Sequence, residues 1–318
     1  MSSAPDEATA PALSRLLVLG VGVGAVSWAA IFVRLADDAP ALSIAAYRML
    51  FATLAIGAFA GLRLWLGRER LPARATLPLL ALSGLFLAAH FWSWFASLER
   101  TSVGSSVVIV AMQPLLAAAL AFLFLREAPS SREYAGIALA AVGLAVIAGG
   151  DLAQGGGELG GNALALLGAL LAAAYRTVGR KLRPGMSALV YSTAVYAVAA
   201  AILWALVPLA GARAGGYDAE TWTWLLLLAA VPQVVGHTAF NWALAHFRVV
   251  TVSIANMGEP VAATLLAIPI LGEEPSGALL LGAPFILAGI FVAFTRPPPG
   301  NAALAGAPAN GAPPSGRR

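Results

Sequence analysis

The sequence contains no cysteine, a single lysine (Lys181) and few charged residues of either sign. Without cysteine the chain can form no disulfide, no thiolate metal site and no Cys nucleophile. Charged residues make up only 11% of the chain and hydrophobic residues 60%, whereas a soluble domain carries about 25% charged residues. Such an apolar composition predicts a protein whose surface faces lipid.

The apolar residues form ten runs of roughly 16–25 residues, each long enough to span a bilayer core of about 30 Å. These runs are residues 16–35, 41–62, 77–98, 103–125, 134–149, 162–178, 187–209, 222–246, 249–271 and 276–295. Only helices and closed barrels satisfy their backbone groups in lipid, and continuous runs of this length indicate helices. The sequence therefore predicts an all-α integral membrane protein with ten transmembrane helices.

The basic residues lie between these runs, as in membrane proteins, so the net charge of +4 does not indicate a nucleic-acid partner. With the N-terminus inside, 15 of the 19 Lys and Arg residues fall on the cytoplasmic side and only Arg34, Arg100 and Arg213 fall outside. The fifteen are Arg15, Arg63, Arg68, Arg70, Arg74, Arg126, Arg132, Arg176, Arg180, Lys181, Arg183, Arg248, Arg296, Arg317 and Arg318. This asymmetry predicts a multi-pass protein of the cell (inner) membrane with both termini in the cytoplasm.

The two halves of the sequence match each other. "LREAPSSREYAGIALAAVG", from Leu125, aligns with "LGEEPSGALLLGAPFILAG", from Leu271, at an offset of 146 residues. Pairs at that offset are Gln113 with Glu259, Pro114 with Pro260, Gly136 with Gly282 and Gly143 with Gly289; His90 meets His237 with one residue of slippage. Because five helices per repeat is an odd number, the second repeat must enter the membrane from the opposite side. Such inverted repeats are typical of alternating-access transporters.

This repeat divides the chain into five predicted regions. They are an N-terminal cytoplasmic tail (1–15), a first five-helix repeat (16–149), an external linker (150–161), a second five-helix repeat (162–295) and a C-terminal cytoplasmic tail (296–318). The last of these, "PPPGNAALAGAPANGAPPSGRR" after Arg296, is rich in Pro, Ala and Gly, which predicts disorder.

Several motifs resemble the EamA-like branch of the drug/metabolite transporter superfamily. They are "AHFWSWFASLERTSVGSSVVIVAMQP", "FLRE", "GHTAFNWALAHF" and "IANMGEPVAATLLAIPILGEEP". The resemblance implies two inverted halves around a central cavity, with helices 3, 4, 8 and 9 prominent in its walls. It also implies transport of small metabolites, often outward, with amino-acid exporters among the members.

We therefore expect a secondary transporter, without enzymatic activity or cofactor, whose partners are a small-molecule substrate and the lipid bilayer. The glycine-rich segment from Gly155 lacks the Lys-Ser/Thr of a phosphate-binding loop, so ATP is not expected to drive it from within the chain. A flippase for a lipid or polyprenyl-linked substrate is the alternative that the same fold could support. An intramembrane enzyme is disfavoured because no helix pair presents clustered carboxylates or histidines.

Two polar stripes are the first candidates for the substrate pathway. Gln233, His237 and Asn241 are spaced i, i+4, i+8 in the eighth run, and Phe86, His90 and Trp94 form the equivalent stripe in the third. Polar groups at membrane depth are costly and should face the bundle interior or a wet cavity. The stripes are interpreted as facing walls of one pathway. Interhelical hydrogen bonding by the histidines is the main alternative, and a metal pair the third.

Glu259 is the only one of the 15 acidic residues that lies near the middle of a predicted helix. Burying it ionised costs ~2.5–3.5 kcal/mol on insertion scales. Pro260 removes a hydrogen bond to the Asn256 carbonyl, and Pro114, next to Gln113, does the same in the other half, so both helices should kink. Freed carbonyls in matching places point to a midplane binding site. Glu259 could carry a proton or hold an ammonium group there, or be a structural kink residue.

Arg48 lies about 10 Å into the second helix from its outer end, at 1.5 Å per residue. It could attract a substrate carboxylate, or its side chain could extend to the outer interface. The neighbouring Tyr47 could supply aromatic surface to the cavity.

The predicted topology can be tested with a reporter fused after Arg296. Since the charge asymmetry places both termini in the cytoplasm, only a reporter that is active in the cytoplasm should give a signal there. Two repeats of five helices place both termini on the same side of the membrane. A periplasmic signal from that fusion would therefore contradict the predicted arrangement.

Overall fold

The computed structural model describes residues 11–101, 103–153, 159–272 and 277–295, and the regular elements in these ranges are helices. The helices of the first half are α1 (Ala12–Val26), α2 (Ala29–Leu35), α3 (Ala41–Trp65), α4 (Leu77–Leu98), α5 (Val103–Val110), α6 (Gln113–Leu125) and α7 (Ser131–Ala153). Those of the second half are α8 (Leu159–Leu182), α9 (Ala188–Leu209), α10 (Ala219–Leu228), α11 (Thr238–Ala243), α12 (Val249–Asn256), α13 (Glu259–Leu271) and α14 (Gly277–Phe294). A π-helix, Ala229–His237, joins α10 to α11.

Many of these helices suit a membrane. In the described part of the chain, seven helical stretches are long and apolar enough to cross one, and two shorter apolar helices, Gln113–Leu125 and Leu280–Phe294, accompany them. The seven are Ala12–Leu35, Ala41–Trp65, Arg74–Leu98, Leu159–Gly185, Ala188–Leu209, Ala219–Ala243 and Val249–Leu271. The chain is therefore a multi-pass membrane protein, and the total of ten spans stays a prediction.

Parts of the predicted tails and linker lie outside the described residues. These are residues 1–10 of the N-terminal tail, 154–158 of the linker and the whole C-terminal tail, 296–318. Where the chain is described, α1 begins at Ala12, within the predicted N-terminal tail. Helices α7 and α8 enter the predicted linker from its two ends.

Each apolar run of the sequence is helical, but four are divided: the first, fourth, eighth and ninth. In the fourth and ninth runs, Pro114 and Pro260 lie in the first turn of the second segment, α6 and α13. An N–H group in the first turn has no partner within its helix, so a proline there costs no hydrogen bond. A helical proline cannot bond the carbonyl four residues earlier. For these two prolines that residue is Val110 or Asn256, the last residue of α5 or α12.

The repeat offset recurs in the backbone of these divided helices. Helices α5 and α12 have eight residues each and α6 and α13 thirteen each, with all four boundaries 146 residues apart. Each pair ends on a left-handed residue, Arg126 with φ 56° and Gly272 with φ 66°. Glycine adopts this conformation freely, whereas a residue with a Cβ loses roughly 1 kcal/mol. The first half therefore keeps the repeated geometry even where its sequence is less suited to it.

Helices α7 and α14 pack through four glycines without side chains between them. A Cβ atom added to Gly143 would lie 2.5 Å from the carbonyl oxygen of Gly282, and one added to Gly136 would lie 2.6 Å from that of Gly289. From Gly136 to Gly143 along α7, the partner in α14 changes from Gly289 back to Gly282, so the two helices run antiparallel. Gly136 and Gly143 are the repeat equivalents of Gly282 and Gly289, so each contact maps onto the other under the 146-residue offset.

The remaining helices enclose a central region. Helix α4 packs on α8 and α9, α3 packs on α9, and the π-helix packs on α1 and α3. A large group of apolar side chains from α2, α3, α4, α9 and α10 fills one part of this region. The inner faces of α3, α4, α8, α9 and the π-helix are thereby brought together.

The glycine contact predicts that Gly143→Ala destabilises the protein by roughly 1–3 kcal/mol, the usual range for an overpacked core. The reason is that its Cβ would meet backbone rather than a movable side chain. Thermal unfolding of the purified protein in detergent measures the effect. Gly149→Ala, in the same helix but with open space around its Cβ position, is the matched control and should not lower the Tm. Equal unfolding temperatures for the two variants would show that the close approach of α7 and α14 is wrong.

Candidate functional site

Arg48 is the centre of a polar cluster between the helices. Its side chain is fully buried, its Nε donates to Gln233 Oε1 at 2.8 Å, and its guanidinium lies 4.2 Å from the centre of the Phe91 ring. The terminal nitrogens Nη1 and Nη2 of Arg48 are buried without a hydrogen-bond partner, as is Nε2 of Gln233. The arginine therefore points into the bundle, and the sequence alternative in which it extends to the outer interface is wrong.

The π-helix determines where Gln233 points. Its wider turns change the rotation between Gln233 and the residues that follow, so the three polar residues of the predicted stripe do not share one set of neighbours. Gln233 faces α3 through Arg48, whereas His237 and Asn241 face α8 and α9. Pro232, inside this π-helix, removes one backbone donor at the same place. π-Helical turns occur often at functional sites.

His237 and Asn241 belong to a hydrogen-bonded network. The Tyr175 hydroxyl donates to Asn241 Oδ1 at 3.1 Å and lies 3.3 Å from His237 Nδ1. Since that hydroxyl has one proton, the histidine must donate from Nδ1, which leaves Nε2 as the acceptor nitrogen. The amide of Asn241 donates in turn to Ser192 Oγ at 2.9 Å and to the Tyr196 hydroxyl at 3.3 Å. The network orients the imidazole through side chains of α8 and α9.

His90 makes a different contact from His237. Its Nδ1 lies 2.8 Å from the backbone carbonyl oxygen of Gly168 in α8, and its ring stacks on Trp94 with centroids 5.9 Å apart. A carbonyl only accepts, so His90 also has its proton on Nδ1. For His90, this is the interhelical hydrogen bond that the sequence analysis gave as the main alternative to a place in the pathway. Phe91, beside it, connects the two stripes, since its ring lies 5.3 Å from that of His237.

Arg176 is a buried residue that the sequence analysis placed among the cytoplasmic charges. It is 2% exposed, its Nη1 donates to Gln113 Oε1 at 2.5 Å, and its guanidinium lies 5.3 Å from the centre of the Phe240 ring. Arg176 lies within the predicted run 162–178 but close to its end, and the assignment treated it as a residue at the aqueous end of the helix. It was wrong because α8 continues for six residues beyond Arg176, to Leu182. Arg183, another of the fifteen, is also 2% exposed. Without these two the predicted cytoplasmic side keeps 13 basic residues against Arg34, Arg100 and Arg213 on the other.

Glu259 begins α13 at the break that precedes Pro260. Its Oε2 accepts from Asn256 Nδ2 at 3.1 Å, and its carboxylate interacts electrostatically with Arg176 and Arg48. A carboxylate in the first turn of a helix is also stabilised by the unpaired N–H groups there. Gln113 occupies the same position of α6, so both breaks present a polar side chain toward Arg176.

Tyr47 lies away from this cluster. Its hydroxyl donates to the carbonyl oxygen of Ala214 at 2.5 Å, between α9 and α10, and its ring packs edge-on against Trp204 and Trp222. The structure thus brings Arg48, His90, Trp94, Gln113, Gln233, His237, Asn241, Asn256 and Glu259 into the central region, but not Tyr47. Among the described residues, no group of three His, Asp or Glu side chains could hold a metal ion.

Polar contacts connect the helices at both ends of the cluster. At one end Arg180 pairs with Glu127 at 3.1 Å and Arg248 pairs with Glu133. At the other, Arg213 pairs with Asp38 at 2.6 Å, and this hydrogen bond raises the pKa of Arg213. The two sets lie beyond opposite ends of the span Ala219–Ala243. Between these contacts, the side chains of Arg48, Gln233 and Arg176 are themselves buried.

Sequence reasoning missed Tyr175, Arg176 and Tyr196 as site residues: the two tyrosines lie outside the predicted stripes, and Arg176 was counted with the cytoplasmic charges. One signal was available for the first two. The tetrapeptide Ala-Ala-Tyr-Arg occurs twice, ending at Arg48 and at Arg176. Each of these arginines binds a glutamine side chain and faces a phenylalanine ring.

Comparison with known proteins agrees with this architecture. A solved crystal structure, described only as that of a "protein", is 22% identical, with a TM-score of 0.72 over 89% of this chain and 98% of that chain. At that identity the likeness shows the fold alone. No curated protein matches. The model of the EamA-like transporter family matches twice, over residues 14–149 and 159–295, in agreement with the two halves. The chain belongs to the EamA-like transporter family.

Proposed function

We propose that the protein is a secondary transporter that exports small metabolites, amino acids among them, across the inner membrane by alternating access. The observation that carries the proposal is the closed polar cluster at the level of two helix breaks. Buried polar and charged groups are expensive in a membrane protein and mark substrate or ion pathways. Broken helices at corresponding places of two repeats are the usual location of a transporter's binding site.

The proposal includes ten transmembrane helices in two inverted halves, 16–149 and 162–295, with both termini cytoplasmic. The antiparallel packing of α7 and α14 supports the inversion, since equivalent helices of inverted repeats must point in opposite directions. When each glycine is replaced by its repeat equivalent, the contact Gly136–Gly289 becomes the contact Gly143–Gly282. Such reciprocal contacts are the pattern of a twofold axis between the halves. Rocking of one half against the other would then open the ends alternately.

The substrate pathway is proposed to pass His237 and Asn241. His237→Ala should reduce flux by about tenfold, the effect of losing one well-made hydrogen bond, while expression and Tm change little. Counterflow of labelled amino acids in proteoliposomes measures the flux. Val235→Ala is the control, because Val235 is exposed on the same span. Normal flux in both His237→Ala and Asn241→Ala would remove these residues from the pathway.

Glu259 is proposed to carry a proton. Two features support this: its place at the break and its single amide partner, Asn256. The buried Arg48 and Arg176 favour the ionised carboxylate and would therefore promote release of the proton. Glu259→Gln keeps the shape and a hydrogen bond but cannot titrate, so flux should lose its dependence on a pH gradient. The measurement compares proteoliposomes with and without an imposed gradient.

Glu220→Gln is the matched control for this test, since Glu220 is an exposed acid at the start of α10. It should keep the response of the wild-type protein. Flux through Glu259→Gln that still follows the pH gradient would leave Glu259 as a structural residue of the break.

A further inference from the structure

The central cluster contains more positive charge than negative. Two guanidinium groups, Arg48 and Arg176, lie there fully or almost fully buried. Their side-chain contacts include the neutral amides of Gln233 and Gln113, the Tyr175 hydroxyl beside Arg176, and the rings of Phe91 and Phe240. One carboxylate, Glu259, interacts with both through space.

An excess of this kind needs compensation. A buried charge is expensive unless a counter-charge or several hydrogen bonds accompany it. The phenylalanine faces contribute, but an aromatic ring carries no net negative charge with which to balance a guanidinium. An anion that enters the cluster would supply the missing negative charge.

The unsatisfied donors show where the anion would bind. Nη1 and Nη2 of Arg48 and Nε2 of Gln233 are buried without partners, and the two side chains are joined by the 2.8 Å hydrogen bond from Arg48 Nε. They therefore form one continuous donor surface. The terminal nitrogens of a guanidinium match the two oxygens of a carboxylate, and such paired bonds are stronger than those between neutral groups.

We propose that Arg48 and Gln233 form a subsite for the carboxylate group of the transported solute. Arg48 binds both oxygens through Nη1 and Nη2, and Gln233 donates a further bond from Nε2. One carboxylate, with a single negative charge, cancels the difference between Arg48 plus Arg176 and Glu259. These donors are shut off from water in the conformation described, so the solute reaches them only after one end opens. The subsite names a substrate class for the proposed transporter and rests on that function.

The test uses the purified full-length protein and measures binding without transport. Thermal unfolding is followed with a panel of free L-amino acids, their C-terminal amides and inorganic phosphate. We expect at least one free acid to stabilise the protein, and its amide, which lacks the charge, to bind at least tenfold more weakly. Arg48→Gln should bring the affinities for acid and amide close together, and Arg48→Lys should retain part of the preference because it keeps the charge but not the fork.

Arg63→Gln is the matched control. It lies in the same helix, α3, but pairs with Glu69 near the end of that helix, at 3.4 Å, so it should keep the preference of the wild-type protein. Equal binding of acid and amide by the wild-type protein would overturn the subsite without reference to any variant. So would a preference that survives in Arg48→Gln, stabilisation by phosphate alone, or no stabilisation by any free acid.

A second measurement separates this proposal from the transport function. Counterflow of the stabilising acid is measured in proteoliposomes with the same wild-type protein. Binding that depends on Arg48 without flux would contradict the transporter and leave the subsite standing. The acid could also be transported while its tighter binding, relative to its amide, does not depend on Arg48. That result would support transport and overturn the subsite.

Discussion

Two arginines held in a low-dielectric interior impose the strongest constraint on this molecule. Neither Arg48 nor Arg176 can be neutralised readily, so each must be compensated by neighbours. Part of the compensation comes from hydrogen bonds to glutamines on other segments, Gln233 in the π-helix and Gln113 at the start of α6. Both glutamines stand where the regular helix is interrupted. The interruptions and the buried charges are therefore parts of one arrangement, because a side chain at a helix break can reach across to the neighbouring helix.

The backbone carries this arrangement through a repeated framework. The breaks before Gln113 and Glu259 are 146 residues apart, as are the left-handed residues Arg126 and Gly272 that follow. The close packing of α7 on α14 adds a rigid contact in which backbone meets backbone. Such a contact requires glycine at four positions, and this explains why these glycines could be recognised in the sequence as matched pairs.

The sequence was sufficient for features that depend on composition or period and insufficient for those that depend on tertiary contacts. Apolar runs located the helical segments, and Pro114 and Pro260 located two of the divisions, because a missing N–H acts locally. The π-helix at Ala229–His237, which packs against α1 and α3, could not be predicted, since an apolar run does not distinguish it from an α-helix. For the same reason the sequence indicated neither that Arg176 is buried nor that Tyr47 binds the carbonyl of Ala214. A hydrophobic pattern gives the depth of a side chain but not its partner.

The framework is repeated, but the chemistry placed on it is not. Glu259 has a neutral glutamine as its equivalent, and the matched histidines have different partners: a backbone carbonyl for His90 and the Tyr175 hydroxyl for His237. Tyr47 and Tyr191 occupy matching places in the segments from Pro40 and Pro184, at an offset of 144 residues. They also differ, since the hydroxyl of Tyr191 lies 2.7 Å from that of Ser83 in the interior. A repeated scaffold allows two ends to exchange equivalent conformations at similar energies. In the proposed transporter, a single asymmetric set of charged groups would give that scaffold one binding site, which both ends would reach in turn.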